Sequence, residues 1–113
     1  MALLFVLLAT LSLGPAASGH TYSVKPQTTI AVTLPSNAST GYRWLLAARP
    51  DKQVVRLVSH RYVARKTKRV GAAGKEIWRF RAVGAGSTRL RLAYVQSAHT
   101  RAARRFTVRI RVR

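Results

Sequence analysis

The sequence predicts an all-β fold, a sandwich of about seven or eight strands. Apolar and basic residues alternate with a period of two in several stretches, among them Arg89-Leu90-Arg91-Leu92 and Val108-Arg109-Ile110-Arg111-Val112. This alternation turns one face of a strand inward and the other outward. Helical periodicity is hard to find after residue 18, and short stretches rich in proline, glycine and asparagine separate the alternating runs.

Seven strands are expected from these runs and from the turn residues between them. The predicted strands are residues 21–24, 28–34, 42–48, 54–63, 75–83, 87–95 and 104–113. The turn signals between them are Lys25-Pro26, Pro35-Ser36-Asn37, Arg49-Pro50-Asp51, residues 71–74 and Gly84-Ala85-Gly86. Seven short strands joined in this way favour a two-sheet sandwich.

The first eighteen residues resemble a targeting segment. Residues 3–13 are almost wholly apolar, and residues 14–18 add a proline, a glycine and small side chains. This pattern predicts a signal peptide cleaved after about Ser18, which leaves residues 19–113 as one secreted or periplasmic domain. The apolar run is shorter than the roughly 20 residues of a membrane span. Because no basic residue precedes Leu3, a start further upstream and a lipid-facing anchor are alternatives.

The composition limits the chemistry that this chain can perform. It has no cysteine, so an exported domain would depend on core burial alone, without disulfides, thiol nucleophiles or the usual zinc sites. Its two acidic residues are Asp51 and Glu76; we expect Asp51 to lie in a turn and Glu76 to pair with nearby arginines. A triad of Ser97, His99 and Asp51 is conceivable but has no local signature. The sequence therefore predicts a protein that is not an enzyme and uses no metal or cofactor.

The positive charge is large, with 21 Lys and Arg residues and a formal net charge of +19. Because arginine occupies alternate strand positions, the charge is predicted to form a solvated outer face. The alternative is a cationic module that binds anionic surfaces or nucleic acid. Residues 65–69 and 101–105 are also basic, but the third of the loops described next has no aromatic side chain on which bases could stack, which argues against dedicated single-strand binding.

Three connections are predicted to lie at the same end of the sandwich, because connections alternate between its two ends as the chain runs up and down. They are residues 35–41, 64–74 and 96–103, the first, second and third loops. These are also the longer or compositionally unusual connections, whereas Gly84-Ala85-Gly86 at the other end is a tight turn. We therefore expect function at the end that carries the three loops.

The first loop contains the most informative residues, Asn37-Ala38-Ser39-Thr40-Gly41-Tyr42 followed by Arg43-Trp44. Asparagine and glycine suit a turn because they tolerate positive φ, but Ser39 and Thr40 are not needed for turning. Tyr42 and Trp44 are two residues apart on a strand, so both are expected in the core. Asn37 has three interpretations: a side chain that braces the loop, which we favour, a contact residue, or a glycosylation acceptor in Asn-Ala-Ser.

In these residues the chain resembles the chagasin-like inhibitors of cysteine peptidases. That family has an immunoglobulin-like β-sandwich whose three loops carry the motifs N-P-T-T-G-[YF], G-x-G-G and R-P-W. Residues 37–42 match the first motif at Asn, Thr, Gly and Tyr, with Ala38 for Pro and Ser39 for Thr. Gly71-Ala72-Ala73-Gly74 stands where the second motif is expected, with Ala73 in place of a glycine.

The third loop departs from the family pattern. Gln96, Ser97 and Ala98 stand where Arg, Pro and Trp are expected. Loss of an aromatic interface anchor costs about 2 kcal/mol or more of binding free energy. The resemblance therefore implies weaker binding than that of a member with all three motifs, or a diverged member without inhibitory activity.

The resemblance implies reversible inhibition of a papain-like cysteine peptidase by a monomeric domain. The 36–42 loop would insert into the active-site cleft, flanked by the 64–75 and 96–103 loops, and would block the cleft without acylation. The residues assigned to peptidase binding are Asn37, Ala38, Ser39, Thr40, Gly41, Tyr42, Gly71, Ala72, Ala73, Gly74, Gln96, Ser97 and Ala98.

Overall fold

In a computed structural model that describes residues 9–65, 73–97 and 99–113, the chain forms eight β-strands. The strands are β1 (Thr10–Leu13), β2 (Thr21–Val24), β3 (Thr29–Ser36), β4 (Arg43–Ala48), β5 (Val55–Val63), β6 (Gly74–Ala82), β7 (Gly86–Val95) and β8 (Arg104–Val112). Two single turns of 3-10 helix, Pro15–Ala17 and Ala38–Thr40, join β1 to β2 and β3 to β4. No helix in these described ranges is long and apolar enough to cross a membrane.

The strands form two sheets of four strands each. The first sheet has the order β1-β3-β6-β5 and the second has the order β2-β8-β7-β4. The pairs β1–β3 and β2–β8 are parallel, and the other pairs are antiparallel. The chain thus has the immunoglobulin-like sandwich architecture, with β4 and β5 at the edges of their sheets.

The core lies between the two sheets and consists of the inward-facing alternate residues. Phe80 of β6 and Phe106 of β8 are the largest of the fully buried side chains. From Val108 to Val112 the buried residues of β8 alternate with the exposed Arg109 and Arg111, so the period-two pattern correctly predicted which face is inside. Burial of these apolar side chains is the main stabilising contribution to a domain without disulfides.

All seven strands predicted from the sequence are present, with ends within two residues of the expected positions. The prediction missed β1, because Thr10–Leu13 lies inside the apolar run that we interpreted as a targeting segment. Within that run, Leu11 and Leu13 alternate with two polar residues, which is the period-two signal of a strand.

The segment from β1 to the first 3-10 turn is packed into the sandwich. Leu13 is 5% exposed and Ala17 is 7% exposed, and both belong to the core cluster. The backbone amide of Thr107 donates to the Ser18 hydroxyl oxygen at 3.0 Å. Cleavage after about Ser18 and export to the periplasm or medium stay predictions; such cleavage would remove β1 from the first sheet.

Candidate functional site

The first, second and third loops lie at one end of the sandwich, as predicted. The register pairs Ser36, where β3 ends, with Gly74, where β6 begins, and Arg43, where β4 begins, with Val95, where β7 ends. Residues 66–72 and 98 lie outside the described residues, and with them the predicted site residues Gly71, Ala72 and Ala98. The described parts of all three loops line one shallow cleft of about 420 Å³, with Thr40, Ala73 and Ala103 each contributed by a different loop.

The tip of the first loop is a compact turn that is braced by its own polar groups. The Asn37 side-chain oxygen accepts hydrogen bonds from the Ser39 amide at 3.2 Å and the Ser39 hydroxyl at 2.6 Å. The Thr40 hydroxyl donates to the Asn37 carbonyl oxygen at 2.7 Å. Gly41 then reverses the chain with φ of 80°, a left-handed conformation that is unstrained only for glycine and a few other residues.

The four tip residues Ala38, Ser39, Thr40 and Gly41 are exposed. The hydrogen bonds from Ser39 to the Asn37 side chain confirm the bracing role that we favoured for Asn37. They hold this exposed backbone segment in one shape. A segment shaped in advance loses less conformational entropy when a partner binds it.

Aromatic side chains support the first loop from below. The ring of Tyr94 stacks on that of Tyr42, with centroids 5.3 Å apart, and lies 5.1 Å from that of Trp44. The Asn37 backbone amide donates to the Tyr94 hydroxyl oxygen at 2.8 Å. Trp44 is buried, as predicted, but Tyr42 is only half-buried, because it lies at the end of the loop, before β4 begins.

The environment of Glu76 differs from the one expected from the sequence. We expected it to pair with surrounding arginines, but it is 2% exposed and faces inward on β6. Its carboxylate oxygens contact the Ser36 hydroxyl, the Trp44 amide and the His60 ring. The signal was present, because Glu76 shares a strand face with Trp78 and Phe80 at a spacing of two.

In the second loop, the structure describes Ala73, which is exposed, and Gly74, where β6 begins. A Cβ atom at Gly74 would collide with the Val63 carbonyl oxygen and the Tyr62 ring. Glycine is required here by the close approach of two adjacent strands. From the sequence we placed Gly74 in a turn and in contact with a partner, and the contact remains a prediction.

The third loop is a turn closed by its own hydrogen bonds. The Ser97 amide donates to the Thr100 hydroxyl at 3.0 Å, and that hydroxyl donates to the Ser97 carbonyl oxygen at 3.0 Å. Gln96 lies beside the first loop, since a Cβ atom built at Gly41 would be 4.0 Å from the Gln96 side chain. The described residues of this loop thus include no aromatic anchor.

The conceivable triad of Ser97, His99 and Asp51 is not assembled. The Asp51 amide bonds to Thr88 near the start of β7, whereas Ser97 and His99 follow the end of that strand. Thr88 and Ser97 are nine residues apart along a nearly extended chain, which separates the two places by roughly 30 Å at about 3.3 Å per residue. Asp51 is a turn residue, as predicted, with its side chain accepting from the Gln53 amide at 2.9 Å.

Together, the fold and the loops define a class of protein: a β-sandwich that presents three loops from one end as a single binding surface. The particular family follows from the sequence. The family described as "Chagasin family peptidase inhibitor I42" matches residues 23–111, and this match includes all three loops. The chain belongs to the chagasin family of peptidase inhibitors, and it is not an enzyme.

Solved structures with the same fold include inhibitors of cysteine proteases. The cysteine protease inhibitor EhICP2 from Entamoeba histolytica has a TM-score of 0.82 and 20% identity, over 94% of this chain and 97% of that chain. Amebosin has a TM-score of 0.74 and 21% identity, over 93% and 98% of the two chains. PbICP-C, solved in complex with falcipain-2, has a TM-score of 0.69 and 15% identity, over 93% and 99%. No curated protein sequence matches the chain.

Proposed function

We propose that this protein inhibits papain-like cysteine peptidases reversibly, with the 36–42 loop inserted into the active-site cleft and the 64–75 and 96–103 loops flanking it. The observation that carries the proposal is the exposed, internally braced tip of the first loop, at the loop-bearing end of a member of a peptidase-inhibitor family. The structure of PbICP-C is that of a complex with falcipain-2, which supports a peptidase as the partner.

The residues of the tip suit a narrow cleft. Ala38, Ser39 and Gly41 have small or no side chains, so the backbone can approach the peptidase closely. The hydrogen bonds of Asn37 and Thr40 keep the turn closed, and a closed turn does not present an extended peptide bond for cleavage. Inhibition by this loop is occlusion of the cleft, and the inhibitor is released intact.

The third loop lacks the family motif and would contribute little to the binding free energy. Gln96 and Ser97 offer polar groups where the family motif has Arg and Pro, and Ala98 replaces Trp. A missing aromatic anchor reduces the binding free energy by about 2 kcal/mol or more. Asn37 to Tyr42 would therefore supply most of the affinity, and basic residues such as Arg101 would mainly raise the association rate with an acidic partner.

A titration of papain with the purified domain at moderate salt tests the proposal. The variant Thr40→Arg places a long cation at the tip and should abolish inhibition. The matched control is Ala85→Arg, which adds the same charge to an exposed turn at the other end of the sandwich and should inhibit like the unmodified protein. Both variants should keep nearly the same melting temperature, because both sites are exposed.

Mass spectrometry after prolonged incubation should show the inhibitor uncleaved. The proposal fails if the unmodified protein does not inhibit at micromolar concentration, or if Thr40→Arg and Ala85→Arg inhibit equally well.

A second candidate function is the binding of polyanions, and one structural observation favours it. Cations face each other directly across neighbouring strands, as Arg89 does with Arg109 in the second sheet and Arg56 with Arg81 in the first. All four are exposed. Like charges in this arrangement repel each other, and a polyanion laid on either sheet would relieve the repulsion.

Binding of a short DNA duplex, followed by fluorescence anisotropy between 50 and 300 mM salt, tests this second candidate. We expect the affinity to fall steeply with salt as counterions are released. Thr40→Arg should not weaken this binding, which separates it from peptidase inhibition. Absence of binding at 50 mM salt would exclude the candidate.

A further inference from the structure

Glu76 lies directly beneath the first loop, with an exposed fraction of 2%. It is one of two acidic residues in the chain, and the other, Asp51, lies at the opposite end of the sandwich. Burial of a carboxyl group is unfavourable unless hydrogen bonds compensate for the loss of water. The partners of Glu76 therefore indicate what this carboxyl group does.

One oxygen of Glu76 connects the two ends of the first loop. Oε2 accepts a hydrogen bond from the Ser36 hydroxyl at 2.6 Å and another from the Trp44 amide at 3.0 Å. Ser36 is the last residue of β3 in the first sheet, and Trp44 is the second residue of β4 in the second sheet. The loop from Asn37 to Tyr42 leaves one sheet and enters the other at these two points.

The other oxygen of Glu76 contacts a histidine and takes no part in the bridge. Oε1 lies 2.6 Å from Nε2 of His60 on β5. The His60 ring is in turn stacked on the Trp78 indole, with centroids 3.7 Å apart and an angle of 16° between the planes. The stacking fixes the position of His60, so the second oxygen of the buried carboxyl group also has a partner, while Oε2 alone holds Ser36 and Trp44.

We propose that Glu76 is a positioning residue for the first loop, and that it sets the separation of the loop ends so that the tip is presented in its binding shape. This inference depends on the proposed inhibitory function for its biological meaning. β3 and β4 belong to different sheets, and the Trp44 indole also joins them by donating to the Pro35 carbonyl oxygen at 3.0 Å. Without Glu76 that contact would remain, but the Ser36 hydroxyl and the Trp44 amide would lose the acceptor that they share. The loop would then sample several shapes, of which only a fraction fits the cleft.

The test compares Glu76→Met, which has a similar length but no acceptor, with Glu76→Gln, whose amide oxygen can still accept from Ser36 and Trp44. Association with papain is measured at a temperature where every variant is fully folded. If the competent fraction falls to a tenth, the association rate constant of Glu76→Met falls about tenfold. The dissociation rate constant stays nearly unchanged, and Glu76→Gln restores most of the association rate.

His60→Phe is the matched control. It keeps the stacking on Trp78 and removes only the contact to Oε1, so it should lose stability yet associate nearly as fast as the unmodified protein. A merely structural role for Glu76 predicts a different result: both variants lose stability, and neither associates more slowly while it is fully folded. Ser36→Ala removes one of the two hydrogen bonds to Oε2 and should lower the association rate constant less than Glu76→Met does. It tests the proposal even if Glu76→Met does not fold.

Amide hydrogen exchange provides a readout that does not need a peptidase. The Trp44 amide and the 37–42 backbone should exchange faster in Glu76→Met, or in Ser36→Ala, than in His60→Phe. Unchanged exchange at Trp44, or an unchanged association rate, would overturn the positioning role. If the unmodified protein does not inhibit papain, the inhibitory function fails, and the exchange experiment still decides the role of Glu76.

Discussion

Removal of β1 should destabilise the domain strongly, and this is the prediction that the structure allows us to develop furthest. Two variants test this: Leu13→Ala, which removes one core side chain of β1, and a chain that begins at Gly19, which lacks β1. Leu13 is 5% exposed in the core and Ala17 is 7% exposed, and β1 pairs with β3 from Thr10 to Leu13. The truncated chain would leave the free edge of β3 and part of the core in contact with water.

The expected loss of stability follows from the burial of one leucine, Leu13. Replacement of a buried leucine by alanine costs about 2–5 kcal/mol, out of a total of about 5–15 kcal/mol for a domain. Since 1 kcal/mol shifts the melting temperature by about 4 °C in a chain of 113 residues, Leu13→Ala should lower it by about 8–20 °C. The truncated chain should be less stable still, because it also loses Ala17 and the β1–β3 ladder.

Thermal and urea unfolding, followed by circular dichroism, measure both effects. Ser12→Ala is the matched control, because Ser12 lies on the same strand but is exposed, and its melting temperature should change by no more than a few degrees. A truncated chain that unfolds at the same temperature as the full chain would refute the reasoning. It would show that β1 does not belong to the cooperative unit, and cleavage after Ser18 would then leave the domain intact.

Two further predictions concern the support of the loops. Gly74→Ala should lower the free energy of unfolding by about 1–3 kcal/mol through steric overlap with Val63, whereas Ala73→Gly at the exposed neighbouring position should change it much less. Equal effects in urea denaturation would show that close strand approach does not require glycine at position 74. Tyr94→Phe removes the acceptor of the Asn37 amide but keeps the ring, so it should cost about 1 kcal/mol of stability and weaken papain inhibition several-fold. Unchanged stability and inhibition would show that this hydrogen bond does not support the loop.

Much of the fold could be predicted from local patterns. Strand alternation, as in β7 and β8, depends only on which residues face the core, and turn residues depend mainly on backbone conformation. The bracing of the first loop by Asn37 could also be predicted, because its hydrogen bonds to Ser39 span only two residues. Such interactions are local, so the sequence contains nearly all the information that specifies them.

The interactions that the sequence analysis missed join residues distant in the chain. Glu76 is 40 residues from Ser36 and 32 from Trp44, and charge alone suggested the surrounding arginines as its partners. β1 was missed because an apolar segment that leaves the domain and one that packs into it have similar compositions.

The sequence by itself thus determined the seven later strands, the end of the sandwich that carries the loops, and the motif residues of the first loop. These features follow from periodicity, from the alternation of connections and from local turn chemistry. Only the tertiary structure decided that β1 joins the first sheet, that Glu76 bridges β3 and β4, and that Tyr94 supports Asn37. The physical reason is that a buried polar group bonds to whichever donors packing brings near it, and packing brings together residues far apart in the chain.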